Sequence, residues 1–328
     1  MQLNRVLTFQ TLLALLFGIF LLILLIVCLP CAEHELLSCQ EAYLTRPQKE
    51  RLRAIQRGTV TRRHVEIVMS RFQEDISWSD VYAPLRTVYD KFPLGWRAPR
   101  NGTIYVENVG RESYVYLKHI VDHYDTLADL TVFTQAGLPT AGYETGHPSA
   151  YRGHMSPGFS FHDFVLADTP GFVLFNHAMR LDNLHHVVRP LGRRWMRLLG
   201  WARLDAQVCP LNSHFKAYWT SNQNSDFIAR VSKLCESQGA GSLCSADTFW
   251  KTFVRLPPPP ADKYYHWVQG ARYAVTRNQI RQRPRHEYDA LLSLVSHDKD
   301  PWAGYFLEWF FYPILTSAVA HPCASSDE

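Results

Sequence analysis

Five places along the chain carry residue types that do chemistry at a phosphate or a hydroxyl. The run Asn108-Val109-Gly110-Arg111-Glu112 is a turn signal leading straight into a helical pattern. An exposed helix N-terminus beside a cation suits a phosphate. Equally, Asn108 and Gly110 serve turn geometry, and Arg111 pairs with Glu112, whose charge favours the helix dipole. Asp75 follows the first apolar run beside Glu74 and Trp78, in a place that suits either a docked base or ribose or a solvated turn. Gln135 ends a strand-like run, and Arg272 lies in a later one. Glu308 sits among Trp302, Tyr305, Phe306 and Trp309. A carboxylate in such surroundings tends to a raised pKa, as a general base for an acceptor hydroxyl needs; the plainer alternative is a surface Glu on an amphipathic helix.

Other chemistries lack their signatures. His147, His154, His162, His177, His185 and His186 cluster in the middle, yet neither His-Glu-x-x-His nor paired Cys-x-x-Cys spacing accompanies them. Cys28-x-x-Cys31 stands alone beside a long apolar run. There is no Gly-x-Ser-x-Gly, Walker loop or Gly-x-Gly-x-x-Gly, which weakens hydrolase, nucleotide-triphosphatase and dinucleotide readings. Metal-assisted hydrolysis by the His-rich stretch would require a bound metal.

The elements that must position these residues follow from periodicity. Val65–Ser70, Arg86–Tyr89, Ile104–Val106 and Leu130–Thr134 read as strands. Between the last two, apolar residues at Tyr114, Leu117, Ile120, Val121 and Tyr124 predict a helix over 111–124, with Glu112 in its first turn. Strand, loop, strand, helix, strand is the grammar of an α/β sheet with helical crossovers. Residues 135–170, rich in Gly, Pro, His and Ser, predict a long loop of the functional kind. Residues 189–203 form a basic amphipathic stretch, and Pro257–Pro260 closes an insertion of about sixty residues. Gly270–Thr276 predicts a strand, and Asn278–Leu294 a helix broken at Pro284. The apolar stretch from Trp302 to Ala320 holds Glu308 and Pro313, so it is not a membrane span.

With 328 residues, 20% charged and 47% apolar, the chain has core enough for one large domain or two ordinary ones. A net charge of +4 is too small to point to nucleic acid, and none is expected as a partner. Much of the apolar excess lies in Thr11–Leu29, nineteen uncharged residues. As a helix they extend roughly 28 Å, a membrane thickness, and no small-residue cleavage site follows. This predicts an uncleaved signal anchor over 11–29 after a cytoplasmic tail over 1–10. Arg5 before the run, against Glu33 and Glu35 after it, favours a lumenal body, a type II topology; the seven Lys and Arg within 46–63 oppose it. Residues 30–63 read as a polar stem, with the lumenal domain over 64–328 and its insertion at about 189–265. The sequon at Asn101 and pairing among Cys209, Cys235, Cys244 and Cys323 agree with a glycosylated protein in an oxidising compartment, the Golgi or the endoplasmic reticulum.

The segments VEIVMSRFQEDISW and ENVGRESYVYLKHIVDHYDTLADLTVFTQ, with GARYAVTRNQIRQRPRHEYDALL and YFLEW further on, resemble a domain family of unknown function found in fungi and algae. That family carries an Asn-x-Gly-Arg-Glu helix start. The resemblance covers roughly 64–188 and 266–315. More widely, the order of elements looks like the nucleotide-sugar half of a GT-A glycosyltransferase, a Rossmann-like mixed sheet. It implies a donor site at Asn108, Gly110, Arg111, Glu112, Gln135 and Arg272, with Glu308 or Asp75 as catalytic base. Metal-dependent members end the donor strand in Asp-x-Asp; Thr134-Gln135-Ala136 stands there instead, so no metal site is expected. Arg111 or Arg272 would then stabilise the leaving diphosphate. The implied function is glycosyl transfer from a nucleotide sugar to a glycan or glycoconjugate acceptor. The alternative is a non-catalytic, membrane-tethered glycan-binding or scaffold protein.

Overall fold

The computed structural model describes residues 17–18, 44–92, 102–139, 161–166, 173–174, 225–244, 246–257 and 272–317. The chain divides into two units, Met1–Tyr43 and Leu44–Glu328. Of the apolar run over 11–29, only Phe17 and Gly18 are described. Among the described residues no helix is long and apolar enough to cross a membrane. Asn101, Cys209, Cys323 and the basic stretch over 189–203 lie outside the described residues.

The second unit opens with helix α1 (Arg46–Gln56). Thr45 and Gln48 form a reciprocal capping box, which satisfies two of the amides that a helix start leaves orphaned. Polar though this stretch is, Leu52 and Ile55 are buried one helical turn apart. The compact unit therefore begins at Leu44, inside the stretch that the sequence reads as stem.

Six strands make one sheet in the order β3-β2-β1-β4-β6-β5. They are β1 (Val65–Arg71), β2 (Arg86–Asp90), β3 (Thr103–Tyr105), β4 (Leu130–Gln135), β5 (Val173–Leu174) and β6 (Tyr273–Thr276). The first four run parallel, and β6 pairs antiparallel with β4 and β5. Parallel strands covered on both faces read as near-continuous apolar runs, and β4 is buried from Leu130 to Thr134. A 3-10 segment (Ser77–Leu85) joins β1 to β2, and helix α2 (Arg111–Asp122) carries the chain from β3 back past β1 to β4. After α3 (Phe161–Val165) the insertion contributes α4 (Ser225–Ser237) and α5 (Ala246–Phe249). Helices α6 (Arg277–Ile280), α7 (Arg285–Leu294) and α8 (Trp302–Thr316) follow β6. The break at Pro284 falls between α6 and α7, because proline has no amide to continue the ladder.

The core centres on cross-strand partners Phe133 and Tyr273, whose rings meet Tyr116 of α2 and Phe311 of α8. A second aromatic group joins Trp78 and Tyr82 of the 3-10 segment to Phe161 of α3. Buried His162 meets the Tyr82 hydroxyl there, so one histidine of the middle cluster is a core residue.

At the carboxyl ends of β1 and β2 the chain buries an ion pair. Arg71 and Asp90 are 4% exposed each and hydrogen-bond to one another. Arg71 Nε also donates to the Glu74 carbonyl at 2.9 Å, and Asp90 accepts the Phe92 amide at 3.0 Å. One pair thus closes both strand exits. Removing one partner strands a buried charge, a loss of about 3–5 kcal/mol. Asp90→Ala is expected to destabilise the protein by that amount in urea unfolding of the full chain.

Candidate functional site

The strand order reverses at β1: the chain moves outward through β2 and β3, then returns to lay β4 on the other side of β1. In open α/β sheets such a reversal leaves a crevice at the carboxyl ends of the two neighbouring strands. Here those ends are Arg71 and Gln135, with Ser70 opposite Gln135 in the register.

The entry to α2 is a left-handed turn. Gly110 has φ 66° and Arg111 φ 49°. A Cβ on Gly110 would overlap the Val295 carbonyl oxygen and sit 2.5 Å from Tyr114 Cβ, so only glycine fits. The Gly110 amide donates to the Asp298 carbonyl at 2.7 Å. From the sheet side, the Lys91 ammonium donates to the carbonyls of Val109 and Arg111. It also lies 5.4 Å from the Tyr114 ring centre. Lys91 follows directly on Asp90, and its amide donates to the Arg71 carbonyl at 2.8 Å. The buried ion pair therefore holds the lysine, and the lysine holds the turn. Nothing in the sequence marks Lys91, which reads there as a polar residue before a loop.

Around Arg111 the acids of three segments gather. Its Nε lies 3.9 Å from Asp300, and its guanidinium stands 5.0 Å over the Tyr305 ring. Glu112 first, then Glu308 and Asp300, hold Arg111 above the ordinary arginine range. Arg111, Glu112 and Glu308 are thus brought together, with Glu308 half-buried on α8. Of the two that complete the group, Asp300 is an ordinary loop residue in the sequence, and Tyr305 is one of the aromatics flanking Glu308 there.

Gln135 and Arg272 form a neighbouring group. Arg272, 1% exposed, donates to Thr134 Oγ1, to the Gln135 carbonyl at 3.0 Å and to the Gly137 carbonyl at 2.6 Å. It fixes the chain leaving β4 and offers little surface to a ligand. Between the two groups lies fully buried Tyr116. Burial raises its pKa, Glu112 and Glu308 raise it further, and Arg272 opposes them. Asp75 stands apart from both groups. It is exposed, and its carboxylate accepts the Ser77 hydroxyl at 2.6 Å and the Ser77 amide at 3.1 Å. Those bonds hold its pKa below the usual carboxylate range, the opposite direction to the raised value that a general base uses. Asn108 is half-buried in the loop before the turn. Among the described residues no group of three or more His, Cys, Asp or Glu is placed to hold a metal.

Residues 67–151, which run from within β1 through the left-handed turn and β4, match the model of a family described as Protein of unknown function (DUF3431). The resemblance carried by Val65–Trp78 and Asn108–Gln135 to a family of unknown function is thereby borne out. No curated protein and no solved structure matches the chain.

Two expectations follow. Gly110→Ala should cost more than about 3 kcal/mol, combining a left-handed conformation with overlap on backbone. Gly58→Ala shares the positive φ with open space around it and should cost only about 1–2 kcal/mol in the same denaturation assay. For Lys91, burial lowers the pKa from 10.5 to about 8, with Glu112 opposing and Arg111 adding to the fall. Between pH 8 and 10.5 the unfolded chain holds a proton that the folded chain has lost, so this group makes stability rise with pH. Measured against Lys91→Met, the wild type should gain on the order of 3 kcal/mol across that window; a constant difference between the two would refute the shift.

Proposed function

We propose that the protein transfers a sugar from a nucleotide donor to a hydroxyl acceptor at the carboxyl edge of its sheet, in a GT-A-like domain carried on a type II anchor. The observation that carries this reading is the left-handed turn at Gly110 and Arg111, which Lys91 ties to the carboxyl end of β2, the strand beside the order reversal at β1. As the bond to the sugar breaks, the departing nucleoside diphosphate gains negative charge. Preorganised donors aimed at that charge lower the barrier without reorganising. In this reading Arg111 and the first α2 amides meet the phosphates. Arg272 acts through its field and by holding Gln135. Glu308 takes the proton of the acceptor hydroxyl, on the acidic side of Arg111. The Cys235–Cys244 disulfide supports a lumenal, oxidising compartment for the body.

One observation favours the alternative of a non-catalytic glycan-binding or scaffold protein. Arg111 is already met by Glu112, Glu308 and Asp300, so a diphosphate arriving there has carboxylates to displace.

The two readings separate on the full-length protein in detergent, assayed for binding and hydrolysis across a panel of nucleotide sugars with and without Mn²⁺. Transfer predicts that Arg111→Ala weakens donor binding about 10- to 100-fold, the worth of one charged hydrogen bond. Glu308→Gln should lower turnover with an acceptor and leave donor affinity in place. A panel with neither binding nor hydrolysis overturns the enzyme reading, and retention of a glycan by the same preparation then favours the alternative.

A further inference from the structure

The insertion lies outside the matched family segment, yet one of its residues reaches the site. Helix α4 ends in a full Schellman turn: the Ala240 amide returns to the Cys235 carbonyl at 2.8 Å, and the Gly239 amide to the Glu236 carbonyl at 3.2 Å. Gly239 supplies the left-handed residue, with φ 67°. The Cys235–Cys244 disulfide closes the same loop from its other end. Between these two constraints sits Gln238, the C-cap of α4. Its amide grips backbone on both sides of Pro301: Nε2 donates to the Asp300 carbonyl at 3.0 Å, and Oε1 accepts the Trp302 amide at 2.9 Å. The Trp302 amide opens α8 and has no carbonyl within its own helix.

The gripped segment is the one on which the turn rests. Asp298 receives the Gly110 amide at 2.7 Å. Asp300 faces Arg111 at 3.9 Å and accepts the Tyr305 hydroxyl at 3.2 Å. A cleft of about 520 Å³ opens beside this clasp, between Gln238, Leu243, His297 and Trp302.

We propose that Gln238 is a positioning residue for Arg111, acting through the 298–302 segment, and that the disulfide-closed loop of the insertion exists to hold it there. Its effect on donor affinity rests on the function proposed above, whereas its effect on the turn does not, and the test keeps the two apart. In the full-length protein, amide exchange at Gly110 reads the bond to Asp298 directly. Gln238→Leu should speed exchange at 110–114 as well as at 302–304; unchanged protection at 110–114 overturns the proposal. Gln238→Glu retains an acceptor for the Trp302 amide and loses the donor to Asp300. It should therefore restore 302–304 while leaving 110–114 fast, and wild-type behaviour throughout would overturn the route by Asp300. UDP and GDP serve as affinity probes in a double-mutant cycle. Gln238→Leu should weaken whichever binds about 5- to 10-fold and clearly less in an Arg111→Ala background, where only the α2 amides remain to be displaced; fully additive losses overturn the proposal. If neither nucleotide binds the wild type, the donor reading fails and the exchange result alone decides the clasp.

Discussion

The structure depends on a backbone turn that is costly to make. Two successive left-handed residues, Gly110 and Arg111, open α2, and for a residue with a side chain such a conformation costs about 1–3 kcal/mol. The turn persists because it is held from two directions. Lys91 ties the carbonyls of Val109 and Arg111 to the end of β2. The segment after α7 takes the Gly110 amide and leaves no room for a Cβ. Behind Lys91 stands the Arg71–Asp90 pair, buried where β1 and β2 end. From that pair to Arg111 the contacts form one continuous support.

The same support sets the electrostatics of the edge. Arg111 stands close to its acids, with its backbone held by Lys91 and its ring partner Tyr305 tied to Asp300. Arg272 is immobilised by an exit loop that it also holds in place. Two arginines and a lysine with lowered pKa therefore share the edge with Glu112, Glu308 and Asp300. On the function proposed above, their balance sets the affinity of this edge for a diphosphate. Charge preorganised in this way is useful to a catalyst and costly to a protein without a ligand for it.

Much of the scaffold was legible in the chain. Val65–Ser70 and Leu130–Thr134 are apolar runs of strand length, Tyr114 to Tyr124 repeats at helical spacing, and Pro284 separates two helices. Each signal is local, since alternation and helical period are properties of neighbours in sequence. The stem was harder. Leu52 and Ile55 make too narrow a stripe to announce a packed helix, and only the 3-10 segment against which α1 lies reveals their burial. Arg111, Glu112 and Glu308 stand out in the sequence by residue type and place, and the fold brings them together. Asp75 stands out on the same grounds, and the fold sets it apart from them with its carboxylate hydrogen-bonded to Ser77.

The chain by itself determined the main strands, that residues 67–151 match a family of unknown function, and that a glycine and an arginine open the helix after β3. Tertiary structure alone decided what those two residues face. Lys91 meets Arg111 twenty positions away, Gln238 grips Asp300 across sixty-two, and Arg272 reaches Thr134 across one hundred and thirty-eight. Secondary structure is written in periods of two to four residues, so it can be read in sequence. A charge's partners are written only in which segments the folded sheet and its helices bring side by side.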